Sequence, residues 1–280
     1  MQLSDAVGVN GGKEKMLYGA MNFPIRPVLQ ELEVISNLGF DYLELTMDPP
    51  QADHKSVAQQ RDRIAGALAR NNMNLVCHLP TFLSTADLSD RVRQAALEEM
   101  LDSLEIAASL NALKVVVHPS YVTGLGVFVV DQVSRNAMIT LAALVQRSDE
   151  LGLCLCLENM FPRTNSLVEP EDFVRILAKF PSLKITLDTG HANIGSKAEK
   201  RCLDFIREFP DRIGHVHVSD NFGKEDNHLP VGAGIIDFPR IVKALSGIGY
   251  DQTVTFEVFS RDKDYLRISR EKFSAMTQLS

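Results

Sequence analysis

Seven short apolar runs in this chain each stop on an acid or a histidine, and the stops recur at a nearly even interval. They fall at Glu44, His78, His118, Glu158, Asp188, His217 and Glu257, separated by 34, 40, 40, 30, 29 and 40 residues. An eighth run, residues 16–21, precedes them. Each run reads as a strand, with segments 40–47, 73–79, 112–118, 152–159, 183–188, 213–220 and 253–259 completing the set. The stretches between have helical periodicity, as in Val28, Leu29, Leu32, Ile35 and Leu38, where apolar side chains return every three or four residues. Further helices are predicted over 56–72, 89–110, 131–151, 170–180, 197–209 and 238–247, with one more at the C-terminus. Strands alternating with helices imply a parallel sheet joined by crossover helices. Eight such units in about 250 residues fit a closed (β/α)8 TIM barrel. A doubly wound open sheet is the competitor, but no G-x-G-x-x-G follows an early strand.

No Pro-, Gly- or Ser-rich linker interrupts the pattern, so residues 16–280 read as a single domain and residues 1–15 as a tail or small lid. Those first fifteen residues lack the apolar core of a signal peptide. No apolar run approaches the roughly 18 to 20 residues of a membrane span. Cys77, Cys154, Cys156 and Cys202 form no C-x-x-C pair or disulfide framework, which points to free thiols and a cytoplasmic setting. The net charge of −7 disfavours a nucleic-acid partner, although bound dications would reverse the sign locally. A homo-oligomer is compatible with this composition.

Alternation along the strands says where the stops point, because successive side chains face opposite sides. Leu153, Leu155 and Leu157 share one face, and Cys154, Cys156 and Glu158 the other. Ile185 and Leu187 oppose Thr186 and Asp188; Val254, Phe256 and Val258 oppose Thr253, Thr255 and Glu257. The aliphatic rows pack against helices, which leaves each acid or histidine atop an inward row. That end of a barrel is where enzymes of this architecture place their chemistry.

Imidazoles and carboxylates converging on one barrel mouth are the donor set of a divalent metal. His78, His118, Glu158, Asp188, His191, His217 and Glu257 come from strand ends or the turns after them, and the loop after strand seven adds Asp226 and His228. Acids crowded together would repel one another and titrate upward, a conflict that a bound dication removes. A single strand histidine is more often a hydrogen-bonded core residue, by about two to one; nine coordinated positions reverse that weighting. His54 reads as a surface loop residue, and His215 as a hydrogen-bonded residue one layer below His217. Glu44 is either a substrate contact or a buried ion-pair partner. Phe82 either walls a pocket or caps the barrel. The glycines of "PVGAGIIDF" (230–238) form either a phosphate-binding backbone nest or a plain turn.

The segments "VCHLP", "VVVHPS", "LENMFPR", "LDTGHAN", "HVHVSDN", "EDNHLPVGAGIIDF" and "FEVF", in this order, resemble the xylose-isomerase-like barrel superfamily. It contains sugar and sugar-phosphate isomerases and epimerases, and also the endonuclease IV-like AP endonuclease family 2. In its endonuclease IV-like members three zinc ions are held by nine residues, matched here by His78, His118, Glu158, Asp188, His191, His217, Asp226, His228 and Glu257. The resemblance makes Glu158 a bridge between a site with His78 and His118 and one with Asp188, His217 and Glu257; His191, Asp226 and His228 form the third. In its ketose-epimerase-like members one ion, Mn, Mg or Co, sits on the matches of Glu158, Asp188, His217 and Glu257, the two glutamates move protons, and the match of His191 touches substrate.

The expectation is therefore a divalent-metal-dependent sugar or sugar-phosphate isomerase or epimerase, with Zn or Mn favoured and Mg or Co as alternatives. Glu158 and Glu257 are its expected acid–base pair, and His191 and Glu44 its expected substrate contacts. The alternative is an endonuclease IV-like multi-zinc hydrolase acting on abasic DNA. The stretches "LPTFLSTADLSD" and "MDPPQADH" weigh against it, because the first lacks the aromatic and aliphatic wedge register, and the second the basic and aromatic residues, that the resemblance to that family would imply.

Overall fold

A computed structural model describes residues 16–122, 124–164 and 166–279; the expected tail or lid, 1–15, lies outside the described residues. Eight strands close into one parallel barrel in sequence order: β1 (Leu17–Met21), β2 (Tyr42–Thr46), β3 (Asn74–His78), β4 (Val115–Val117), β5 (Leu155–Glu158), β6 (Lys184–Asp188), β7 (Ile213–Val218) and β8 (Thr253–Phe256). The last strand pairs with the first, Leu17 opposite Thr253, so no sheet edge is left open. Helices α1 (Val28–Asn37), α2 (His54–Arg70), α3 (Asp90–Ser109), α4 (Val130–Leu151), α5 (Pro170–Lys179), α6 (Thr189–Asn193), α7 (Lys200–Glu208), α8 (Phe238–Gly247) and α9 (Asp264–Gln278) complete the (β/α)8 TIM barrel. No helix among the described residues is long and apolar enough to cross a membrane.

Two hydrophobic layers follow from the alternation. Leu155, Leu157, Ile185, Leu187, Val254 and Phe256 join the large core between strands and helices, where Phe173 and Phe205 meet edge to face at 5.2 Å. Inside the barrel the apolar cluster is small: Tyr42, Val76 and Val116, with Leu17 packed against it. Gly19 makes room for it, since a Cβ there would collide with the Tyr42 ring. Above that floor the inward rows are polar. The interior is therefore built for hydrogen bonding and not for apolar packing.

Three local readings change. Strand β2 continues to Thr46, which pairs with His78, so Glu44 lies two residues below the strand top and not at its end. His54 is the buried first residue of α2, behind the Asp53 cap, with Nδ1 2.7 Å from Glu99 and Nε2 3.5 Å from Asp102 on α3. The one-turn α6 was not anticipated; it forms because the Asp188 side chain accepts the His191 backbone N–H.

Candidate metal centre

Glu158 ends β5 and Asp188 ends β6, and the amide between them explains their fixed spacing. Asn159 donates to the Asp188 carbonyl at 3.1 Å and accepts the Asp188 N–H at 2.8 Å, extending the ladder by one side-chain rung. His217 lies level with Asp188 on β7, and Glu257 follows β8. His78 closes β3, and His118 stands just past β4.

Asp226 and His228 arrive on the loop after β7, whose base is tied by a two-way backbone bridge between Asp220 and Leu229. The Asp220 carboxylate accepts the N–H groups of Asn221, Gly232, Gly234 and Ile236. The glycine-rich segment thus does form an anion nest, but the chain's own Asp220 fills it, which leaves no nest for a substrate phosphate. Glycine is required at 234, where a Cβ would run into the Asn221 carbonyl. His228 itself holds a left-handed backbone, φ +47°, and its ring lies against Phe259 at 4.3 Å.

Hydrogen bonds show which imidazole nitrogens are bare. His78, His191 and His228 each donate Nδ1–H to a backbone carbonyl, of Leu79 (2.8 Å), Asn159 (2.9 Å) and Glu257 (3.2 Å) respectively. Carbonyls only accept, so Nε2 of each neutral ring carries a lone pair. His118 Nδ1 bonds the Tyr121 hydroxyl at 2.8 Å. His217 is turned the other way, with Nε2–H on Glu44 Oε1 at 2.9 Å and Nδ1 inward.

Each remaining nitrogen faces a carboxylate. His78 and His118 Nε2 lie 3.3 and 3.2 Å from Glu158 Oε2. His191 and His228 Nε2 lie 3.3 and 2.9 Å from Asp226 Oδ2. His217 Nδ1 is 2.8 Å from Glu257 Oε1, 3.4 Å from Glu158 Oε1 and 3.8 Å from Asp188 Oδ2. A bare nitrogen beside an ionised oxygen is repulsive unless a proton or a metal ion lies between them. All nine expected donors thus ring one site, with Glu158 shared between two groups of them.

The donor set fits a dication. Donors about 2.1 Å from a tetrahedral ion stand roughly 3.4 Å apart, and the spacings around His217 Nδ1 run from 2.8 to 3.8 Å. Asp188 Oδ2, His217 Nδ1 and Asp226 Oδ1 are buried without an aligned hydrogen-bond partner. In contrast, Glu44, His215 and His217 Nε2, which also cluster, satisfy one another through hydrogen bonds of 2.9 to 3.0 Å. That group is a closed network with no bare donor.

Protons occupy the centre when metal does not. Burial disfavours charge on His217 and His191, but the Glu257, Glu44 and Glu158 carboxylates around the first, and Asp188, Asp226 and Glu158 around the second, hold both imidazoles well above the ordinary value. Burial raises the Asp188 carboxyl to about 7, against the pull of His191 and with added push from Glu257 and Glu158. For Glu158 the order reverses: burial is outweighed by His217 and His118, and the carboxyl stays well below its usual range.

Above the donors opens a cavity of about 310 Å³ walled by Phe23, Phe82, Tyr121, Phe161 and Phe259, with Asn22, Asp48 and Thr81 as polar contacts. No lysine or arginine is among its described lining residues. Phe82 stands at the rim, 84% exposed. Glu44 is fully buried and absent from the cavity wall, with its carboxylate on His217 and His215. Apart from Phe82 and Tyr121, the aromatic wall, Asn22 and Asp48 escaped sequence reasoning because loops have no periodicity. Tyr121, three residues past His118 in "HPSY", had a local signal. A larger apolar cavity, about 630 Å³, lies outside the barrel wall against α4 and α5, with His118 the one of the nine donors on its lining.

Several known proteins share this architecture. An uncharacterized protein of Methanocaldococcus jannaschii is 31% identical over 278 residues, covering 92% of each chain. The ketose 3-epimerase of Arthrobacter globiformis is 27% identical over 257 residues, covering 85% of this chain and 80% of its own. The crystal structure of a D-tagatose 3-epimerase-like protein superposes with a TM-score of 0.83 at 27% identity, covering 94% of this chain and 98% of its own. A family model for the xylose isomerase-like TIM barrel matches residues 32–278, and this chain belongs to that family.

Proposed function

We propose that this protein is a divalent-metal-dependent epimerase or isomerase of an unphosphorylated ketose. The observation that carries the reading is the meeting of Glu158, Asp188, Glu257 and His217 Nδ1 beneath a small cavity with no lysine or arginine among its described lining residues. Similarity to a ketose 3-epimerase and to a D-tagatose 3-epimerase-like protein supports it. A cavity of about 310 Å³ is at the small end of ligand sites, roughly 300 to 1,000 Å³. Aromatic rings suit the C–H faces of a sugar. A phosphate would call for lysine or arginine, which the described lining lacks, or for a backbone nest such as the one that Asp220 occupies.

An ion held by Glu158, Asp188, His217 and Glu257 would polarise the sugar carbonyl and acidify the neighbouring C–H. Zinc and manganese suit this mixture of imidazole and carboxylate best, with magnesium and cobalt as alternatives. Glu257 lines the cavity, whereas Glu158, on β5 three strands away around the wall, lies behind the lining residues His78 and His118, so the two carboxylates stand on different sides of the centre. One glutamate takes the proton from the carbon beside the carbonyl; a proton then returns either to the adjacent carbon from that same glutamate or to the opposite face through the other, which first draws one from solvent. His191, on the cavity wall, orients a hydroxyl.

The complete nine-donor set favours one second reading, an endonuclease IV-like hydrolase holding several ions. The lack of lysine and arginine in the described cavity lining and the net charge of −7 weigh against a phosphodiester backbone. Incubation with a panel of ketoses in deuterated water separates the two. Wild type should wash deuterium into a carbon-bound position, and Glu257→Gln should slow that exchange on the order of 10²- to 10⁴-fold. Cleavage of abasic DNA by wild type, with no wash-in from any ketose, would overturn the epimerase reading.

A further inference from the structure

We infer that Glu44 is a positioning residue: its buried carboxylate fixes the tautomer of His217, so that Nδ1 is presented as the bare donor towards Glu158, Asp188 and Glu257. The inference rests on the metal-centre reading above and extends it to a residue that touches neither metal nor substrate.

Glu44 is wholly enclosed, and both of its oxygens are engaged. Oε1 accepts His217 Nε2–H at 2.9 Å, and Oε2 accepts His215 Nε2–H at 3.0 Å together with the Thr255 hydroxyl. The supporting ring is itself determined. The Tyr42 hydroxyl lies 2.8 Å from Thr255 Oγ1, and His215 Nδ1 lies 2.7 Å from Thr253 Oγ1. An ionised carboxylate can only accept, so both imidazoles must carry their proton on Nε2. His215 then takes the Thr253 hydroxyl proton on Nδ1. His217 Nδ1 has no aligned partner and faces three carboxylates.

Among the five imidazoles of the centre, His217 has its outward nitrogen on a carboxylate that is not itself one of the nine donors, whereas the carboxylates near Nδ1 of His191 and His228, Glu158 at 3.2 Å and Glu257 at 3.5 Å, belong to the centre. The other four lean on the carbonyls of Leu79, Asn159 and Glu257 or on the Tyr121 hydroxyl. A carboxylate anchor makes an imidazole a stronger donor than a neutral oxygen does, and loss of such an anchor weakens metal binding by about 10- to 100-fold. Glu44 therefore acts at the point where the three central acids meet.

The test compares wild type with Glu44→Gln and Glu44→Leu. Glutamine keeps the size and one acceptor oxygen but removes the charge, so it is expected to fold even where leucine does not. Mn²⁺ and Zn²⁺ affinities, measured by competition with a chromophoric chelator, should weaken by about 10- to 100-fold in Glu44→Gln at unchanged Tm. Nitrogen-15 NMR of the metal-free wild type at alkaline pH, where the ring is neutral, should place the His217 proton on Nε2. A Glu44→Gln affinity within about twofold of wild type, or a wild-type His217 protonated on Nδ1, overturns the inference. A wild type that binds neither ion defeats the metal-centre reading instead, and the tautomer alone then decides Glu44.

Discussion

Loading the centre with one ion should expel protons, and the structure says how many. A ligand must be unprotonated to bind metal, so every proton held at working pH competes with the ion. Glu158 and Glu257 bring none: although burial opposes their ionisation, the imidazoles around them, His217 foremost, hold both carboxyls below their usual range. Asp188, raised by burial to about 7, and His217, raised by Glu257, Glu44 and Glu158 against burial, each bring one. The bound state lacks these protons and the free state holds them, so rising pH favours binding. Below about pH 7 roughly two protons leave per ion, and affinity should climb about a hundredfold per pH unit, tenfold for each proton. Between about pH 7 and the elevated His217 value only one leaves, and the slope falls to about tenfold. Calorimetric titration with Mn²⁺, repeated in buffers of different ionisation enthalpy, counts released protons directly. Asp188→Asn should remove one of the two. Fewer than about one proton released near pH 6, with affinity flat across that range, would refute the assignment of Asp188 and His217 as ligands.

Two further outcomes follow from features away from the donors. Asp220→Ala strips the acceptor from four backbone N–H groups and should lower stability by about 3 kcal/mol in urea unfolding; a change below about 0.5 kcal/mol would mean that the nest is not what ties down the loop. The Cys154 thiol is held down to about 6 by its hydrogen bond with Cys156, against burial and with help from Lys114 and Lys184, while burial pushes Cys77 and Cys202 up. Iodoacetamide should therefore label a single fast site with a rate midpoint near pH 6, lost in Cys154→Ser; equal labelling of all four thiols would contradict it.

Sequence showed the donors at the barrel mouth because strand parity and strand ends are local properties. Ile185 against Asp188, or Leu157 against Glu158, can be sorted by alternation alone. What failed depended on partners distant in the chain. Glu44 was placed at a strand end, yet β2 runs on to Thr46 because Thr46 pairs with His78, a register set 32 residues away. His54 was assigned to the surface; it is covered by Glu99 and Asp102 of α3, which no local pattern announces. The glycines of 230–238 read equally as a phosphate nest or a plain turn; their N–H groups do converge, but on Asp220, ten or more residues earlier. The aromatic cavity wall gathers side chains from several loops, and nothing along the sequence links Phe23 to Phe259, whose rings stand 6.1 Å apart.

The centre has two layers, and they differ in what they can do. Glu158, Asp188, His217 and Glu257 are 0 to 6% exposed at the side chain and stand on strands or directly above them. Their positions are fixed by the barrel. His118, Asp226 and His228 are 16 to 19% exposed and stand on loops. An outer donor open to the cavity can bind a further ion or a sugar hydroxyl, but not both at once. Asp226 already joins His191 and His228, and His228 lies over Phe259, so this layer presents a polar edge beside an aromatic face. That pairing matches a polyol, which offers hydroxyls and a C–H face together. A phosphodiester group itself offers neither, and the described cavity lining has no lysine or arginine to pair with it. The outer layer therefore strengthens the sugar reading even though its residue types are those of a multi-ion site.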